Sequence, residues 1–282
     1  MAYHRRGMRF EPNLSILFTE LPLLERPAAA AAAGFEAAEI WWPFDEPDPP
    51  GARIDELIRA FDGAGVVLAC LNFYAGDFGA GERGLISVPG EQARFRANVE
   101  VAVELAGKLH CGTLNALYGN RAVDATPDRQ EALAIENLAA AVNAARRIGA
   151  QVVVEALNRV EYPRYGLHSV DQVVTFLDRV HDASGVVARC SLDVYHAAMT
   201  GDRLVESVAR HGDRIGHVQL ADVPGRHEPG TGTIDFPSVL DALERQGYEG
   251  WVGLEYIPSS ESGASLHATI DWLAAHAPTP RA

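Results

Sequence analysis

Gln151-Val152-Val153-Val154-Glu155 is a β-branched apolar run that ends on a carboxylate, and three later runs repeat the plan. They are Arg189-Cys190-Ser191-Leu192-Asp193, Ile215-Gly216-His217-Val218-Gln219 and Gly250-Trp251-Val252-Gly253-Leu254-Glu255. Short runs of this kind read as buried strands. Their terminal residues lie 38, 26 and 36 positions apart, each gap about one strand, one helix and two loops. A β/α barrel brings the carboxyl ends of all its strands to one mouth. Glu155, Asp193, Gln219 and Glu255 are therefore expected to converge there. Three carboxylates in one small volume repel one another unless a cation sits between them. The pattern predicts a divalent-metal enzyme.

The alternation extends over the whole chain. Strand-like segments are read at Phe10–Leu17, Ala38–Ile40, Val66–Asn72, Thr113–Leu117, Val152–Glu155, Ala188–Asp193, Ile215–Gln219 and Trp251–Glu255. Helical patterns lie between and after them, at Leu21–Ala33, Ala52–Gly63, Gln92–Ala106, Asp128–Ile148, Val170–His181, Leu204–His211, Pro237–Gln246 and Ser262–Ala275. Glycines at helix ends (Gly34, Gly65, Gly107, Gly149, Gly247) fit parallel βαβ units. The expectation is an α/β fold, a single (β/α)8 TIM barrel over 1–282, with short flexible ends at about 1–8 and 277–282. An open doubly wound sheet is the runner-up, and the lack of a Gly-rich first turn counts against it. The longest loop, Phe73–Gly90, is expected to overhang the mouth. Trp41, Trp42 and Phe44 follow the second strand and are candidates for a pocket wall. His217 precedes the metal-type position on the seventh strand, so strand alternation is expected to point it away from the mouth, and it is read as structural. Glu39 is given no role.

A formal charge of −14 argues against a nucleic-acid partner, which needs a basic surface. No apolar run is long enough to span a bilayer, so no membrane association is expected. The start, Met1 to Met8, carries Arg5-Arg6 but no following apolar stretch, which predicts no signal peptide. Cys70, Cys111 and Cys190 are an odd, scattered set in apolar runs and read as buried thiols of a cytoplasmic protein. Lys108 is the only lysine, at a helix end, so a Schiff-base mechanism is disfavoured. Carboxylates with an amide oxygen are hard ligands, suited to Mg²⁺ or Mn²⁺ more than to zinc.

Several segments resemble the xylose-isomerase-like TIM barrels, most closely their hydroxypyruvate isomerase branch. They are Asn13-Leu14-Ser15-Ile16-Leu17-Phe18, Gly76-Asp77-Phe78-Gly79-Ala80-Gly81-Glu82-Arg83-Gly84, Ser191-Leu192-Asp193-Val194-Tyr195-His196, His217-Val218-Gln219-Leu220-Ala221-Asp222, Glu228-Pro229-Gly230-Thr231-Gly232 and Gly250 to Tyr256. The resemblance implies metal ligands at Glu155, Asp193, Gln219 and Glu255, with Glu155 and Glu255 exchanging protons with the substrate from opposite faces. It also implies substrate contacts from His196 and Arg226, and places Asn72 and Arg83 near the substrate. In the sugar-epimerase branch a Glu follows the first metal Glu by six positions, and Glu161 fits that pattern here. Gln219 points to the 2-oxo-acid branch, because the epimerases usually place His there. Leu71 departs from some hydroxypyruvate isomerases, which carry His just before the Asn matched by Asn72.

The chemistry so implied is an aldose–ketose isomerisation of a small 2-oxo acid through an enediolate, from hydroxypyruvate to 2-hydroxy-3-oxopropanoate. Arg226, then Arg83, is the candidate partner for the substrate carboxylate. Alternatives are a 2-oxo-tetronate isomerase, a ketose 3-epimerase, a phosphodiesterase of the endonuclease IV type, and a non-catalytic sugar-acid binder. The expected partner is a small molecule, and a homo-oligomer is allowed.

Overall fold

Eight short parallel strands position the site: β1 (Met8–Pro12), β2 (Ala37–Ile40), β3 (Val67–Asn72), β4 (Thr113–Asn115), β5 (Gln151–Glu155), β6 (Arg189–Asp193), β7 (Ile215–Leu220) and β8 (Trp251–Leu254). The computed structural model describes residues 4–5 and 8–276. Each strand is hydrogen-bonded to its neighbour in chain order from β2 to β8, and β8 pairs with β1. The remaining gap, between β1 and β2, is bridged by Asn13 beside Glu39 and by the Leu14 N–H donating to the Glu39 carbonyl at 2.8 Å. The result is the expected (β/α)8 barrel. A two-residue strand, His4–Arg5, pairs antiparallel with the start of β1. The frayed ends read at about 1–8 and 277–282 fall largely outside the described residues, although Met8 is fully buried.

Nine helices are described: α1 (Arg26–Ala32), α2 (Gly51–Ala64), α3 (Gln92–Lys108), α4 (Pro127–Arg146), α5 (Val170–Ser184), α6 (Val194–Thr200), α7 (Leu204–His211), α8 (Phe236–Arg245) and α9 (Ser262–Ala275). Helix α5 shows why the sequence folds this way. Ser169 caps it by accepting from the Gln172 N–H, and Gly185 ends it at φ 71°. Val173, Phe176, Leu177 and Val180 recur at three- and four-residue spacing and are buried. Truncating one such side chain, Phe176→Ala, is expected to cost about 3–5 kcal/mol. Among the described residues no helix is long and apolar enough to cross a membrane. Cys70, Cys111 and Cys190 are free and buried, and burial pushes the Cys111 and Cys190 thiols up to about 12.

Some boundaries differ from the reading. The first strand stops at Pro12 because Asn13 turns the chain: its Oδ1 accepts from the Ser15 N–H and its carbonyl from the Leu17 N–H. The segment read as one helix from Leu21 opens as a 3₁₀ turn, Leu23–Glu25, before α1. The short helix α6, directly after Asp193, was not anticipated, because seven residues carry too little periodicity to stand out.

The register sets the inner layers of the barrel. One row runs Asp193, Gln219, Gly253, Glu11 across β6, β7, β8 and β1. The next row runs Glu155, Ser191, His217. This corrects the reading of His217. It stands two residues from Gln219, so strand alternation puts both on the same face, and both bond to Glu39 inside the barrel.

Candidate active site

At the carboxyl end of the barrel a cavity of about 290 Å³ is lined by Glu155, His196, Arg226 and Glu255, with Asn72 and Arg83 at its edge. Trp41, Phe78 and Tyr162 form its aromatic wall. The loop after β3 reaches the mouth as expected, since Phe78 packs edge-on against Trp41 at 5.8 Å between ring centres. Trp42 and Phe44 line a neighbouring cavity of about 580 Å³, which shares Trp41, Asn72 and Phe78 with the first.

Glu155 ends β5 and is almost fully buried. Its Oε2 accepts from Asn115 Nδ2 at 2.8 Å. Burial, then the nearby Asp193 charge, raises its carboxyl to about 8. Glu255 directly follows β8, fixed by its N–H donating to the Leu220 carbonyl at 3.1 Å. Burial pushes its carboxyl well above the ordinary range, while Arg226 opposes the rise. Asp193 has two separate duties. Its Oδ1 caps α6 by accepting from the His196 N–H at 3.0 Å, and its Oδ2 accepts from Arg226 at 3.3 Å. Gln219 turns its amide nitrogen to Glu255 Oε2 and Glu39 Oε1.

Ligand atoms of Glu155, Asp193 and His196 lie within 4.8 Å of one another. Gln219 Oε1 is buried with no hydrogen-bond partner among the described residues. A buried amide oxygen with no partner, on a side chain whose nitrogen touches Glu255, together with the buried Glu155 and Asp193 carboxylates, suits a hard divalent cation. The donor set therefore fits such an ion.

His196 is buried against Tyr162 and Tyr195. Burial lowers its imidazole to about 4, so it is neutral at pH 7. Asn158 Nδ2 donates both to His196 Nδ1 at 2.8 Å and to Glu161 Oε2 at 2.8 Å, while Asn158 Oδ1 accepts from the Glu161 N–H at 2.9 Å. With Nδ1 accepting, the ring proton belongs on Nε2, which lies 3.7 Å from Asp193 Oδ2. Glu161 does not line the cavity. Its carboxylate accepts from Tyr195 Oη at 2.6 Å and from Asn158, so it orients their side chains from behind.

Arg226 reaches the cavity from the loop after β7, with backbone in the left-handed region at φ 59°. Its Nη2 donates to Glu255 Oε1 at 2.7 Å and Asp193 Oδ2 at 3.3 Å. Burial disfavours its charge, but Glu255 and Asp193 hold it protonated. The loop is organised by Asp222, which is fully buried. Its Oδ1 accepts from Val223 and Ile234 N–H at 2.8 and 3.0 Å, and its Oδ2 from Gly230 and Gly232 N–H at 2.9 and 2.8 Å. A Cβ at Gly232 would lie 2.1 Å from the Val223 carbonyl oxygen, so the glycine is required there. Arg83 Nη1 donates to the Phe78 and Glu82 carbonyls, and its guanidinium lies over Phe78 and Tyr162. Leu71 sits in the apolar core, one residue out of phase with Asn72, so the position where some relatives carry His lies off the cavity.

The sequence reading missed Asn115, Asn158 and Tyr195, which act on the site through other side chains. It quoted Asp222 in the Gln-x-x-Asp segment without a role. The available signal was the pairing of a buried acid with the Gly-x-Gly that supplies its donors.

A family model described as a xylose isomerase-like TIM barrel matches residues 27–276. The "Putative hydroxypyruvate isomerase" of Streptomyces coelicolor is 50% identical, over 97% of this chain and 98% of that protein. The 2-oxo-tetronate isomerase of Cupriavidus necator is 35% identical, over 92% and 96%. The crystal structure of an AP endonuclease, family 2, from Brucella melitensis superposes with a TM-score of 0.83 at 33% identity, covering 96% of this chain and all of that one. With the barrel, its strand-end oxygens and these likenesses all running the length of the chain, the protein belongs to the xylose isomerase-like TIM barrels, in their hydroxypyruvate isomerase branch.

Proposed function

We propose that the protein isomerises a small 2-oxo acid, hydroxypyruvate, to 2-hydroxy-3-oxopropanoate through an enediolate. The observation that carries this reading is the pair of buried carboxylates, Glu155 and Glu255, facing one cavity from β5 and from the end of β8. In this reaction C3 loses a proton, C2 gains one, and the O3 proton passes to O2. One of the two glutamates takes the proton from C3 and the other delivers one to C2. Burial raises both carboxyls, Glu155 to about 8, which suits that group to proton transfer near neutral pH. A Mg²⁺ or Mn²⁺ ion held by Glu155, Asp193, Gln219 and Glu255 would acidify the C–H and stabilise enediolate charge. Arg226 supplies positive charge for the substrate carboxylate, with Arg83 and Asn72 at the cavity edge. His196 offers Nε2–H as a neutral donor to a substrate oxygen.

A four-carbon 2-oxo acid is the second reading, supported by the cavity that continues past Trp41 and Phe78 and by the likeness to a 2-oxo-tetronate isomerase. Ketose 3-epimerisation receives less support, because Glu161 is turned to Tyr195 and Asn158. A phosphodiesterase reading receives less still. The described cavity presents one imidazole, and the chain is acidic. A coupled assay across hydroxypyruvate, 2-oxo-tetronate and ketohexoses, with and without chelator, tests the reading. Fastest turnover is expected on hydroxypyruvate and loss with chelator. Faster turnover of ketohexoses would overturn the substrate assignment.

A further inference from the structure

We propose that Glu39, which contributes no atom to the cavity, is a positioning residue that fixes the amide of Gln219 so that its carbonyl oxygen faces the carboxylate cluster. This rests on the metal-site reading above. Glu39 lies on β2 and is 2% exposed. Its Oε1 accepts from Gln219 Nε2 at 2.9 Å and from Asn13 Nδ2 at 2.9 Å. Its Oε2 accepts from His217 Nε2 at 2.6 Å. An ionised carboxylate only accepts, so Gln219 can present only its NH₂ to it. The Gln219 oxygen takes no part in that bond, and it is buried with no hydrogen-bond partner among the described residues.

Two further observations show that the place for Glu39 is built. Gly253, in register with Gln219, stands against its carboxylate: a Cβ there would lie 2.7 Å from Oε1 and 2.9 Å from Cδ. Asn13, just past the end of β1, and His217, within β7, hold the carboxylate from two other strands, so its direction is over-determined. Glu255 also accepts from the Gln219 amide. Its oxygens, however, belong to the cluster that a cation would engage. Glu39 is the acceptor that stays in place whatever occupies the cavity. A rotated amide would turn N–H toward the cation, and the site would lose a ligand.

Mn²⁺ affinity tests this directly. Chelator-stripped wild type, Glu39→Gln, Glu39→Met, Gly253→Ala and the double variant Glu39→Met/Gln219→Glu are titrated with Mn²⁺ by calorimetry, with circular dichroism as the fold control. Glu39→Met is expected to weaken binding by about 10–100-fold, the usual effect of losing a partner that orients a ligand. Glu39→Gln keeps an acceptor for Gln219 and is expected to lose less. Gly253→Ala displaces the carboxylate and should weaken binding as well. A carboxylate at 219 has no wrong orientation, so the double variant should bind better than Glu39→Met. Wild type that takes up no Mn²⁺ overturns the metal reading and this inference together. Wild-type affinity in Glu39→Met, or in Gly253→Ala where the Met variant does not fold, overturns the inference alone. So does a double variant no better than Glu39→Met, or Glu39→Gln falling as far as Met.

Discussion

Replacing Asp222 by Asn should unfasten the loop that carries Arg226 while leaving the barrel intact. Each carboxylate oxygen of Asp222 accepts from two backbone N–H groups, Oδ1 from Val223 and Ile234, Oδ2 from Gly230 and Gly232. Whichever oxygen becomes NH₂ therefore faces two donors and loses both bonds. A hydrogen bond to a charged group contributes about 1.5–3 kcal/mol. Losing two lowers the local opening free energy by roughly 3–6 kcal/mol if the loop cannot rearrange. Each 1.4 kcal/mol is about tenfold, so amide exchange across residues 223–234 should speed up by about 100-fold or more. Exchange in the strands should not change. The KM for hydroxypyruvate should rise, because Arg226 is no longer held toward the cavity. Gly232→Ala should reproduce the effect, since its Cβ would collide with the Val223 carbonyl and lie 2.6 Å from Asp222 Oδ1. Wild-type exchange over 223–234 in Asp222→Asn, with an unchanged KM, would refute the reasoning.

The remaining predictions concern the carboxylates. Glu155→Gln and Glu255→Gln should each reduce kcat by at least about 100-fold, the usual scale of a general acid–base, while circular dichroism shows a native barrel; near-normal turnover in either would remove the two-carboxylate mechanism. The metal-free protein should lose stability as pH rises. Glu155 has its folded pKa raised from 4.5 to about 8, and Glu255 and Glu11 are raised too, in each case mainly by burial. The folded state binds more protons than the unfolded one, so this stability is fully present below about pH 4.5 and is lost as pH climbs through about 8. For Glu155 the linkage is on the order of 5 kcal/mol at about 1.4 kcal/mol per pKa unit. Chelated wild type should therefore melt lower at pH 8.5 than at pH 6, and Glu155→Gln should flatten the curve; a flat wild-type curve would contradict the burial argument. Asn158→Leu removes the donor to His196 Nδ1 and should raise KM more than it lowers kcat, read from steady-state kinetics across substrate concentrations.

Much of the fold was legible because a strand buried on both faces must be apolar and a strand end at the mouth must not. Glu155, Asp193, Gln219 and Glu255 announce themselves by that break. The other polar residues of the inner rows were not legible in the same way. Glu11, Glu39 and His217 are buried polar residues within strands, and their meaning lies in partners up to 180 positions apart. Counting alternation from Gln219 would have put His217 on the inner face. Glu161 shows the reverse limit. Its spacing after Glu155 is visible in the sequence, but its carboxylate turns to Asn158 and to Tyr195, and Tyr195 lies on α6, a helix too short to read.

The most direct measurement is proton NMR of hydroxypyruvate with Mg²⁺-loaded protein in D₂O. If one glutamate takes the C3 proton and the other delivers to C2, 2-hydroxy-3-oxopropanoate forms with deuterium at C2, and stripping the metal stops the reaction. No conversion, or conversion that survives metal removal, would contradict the account.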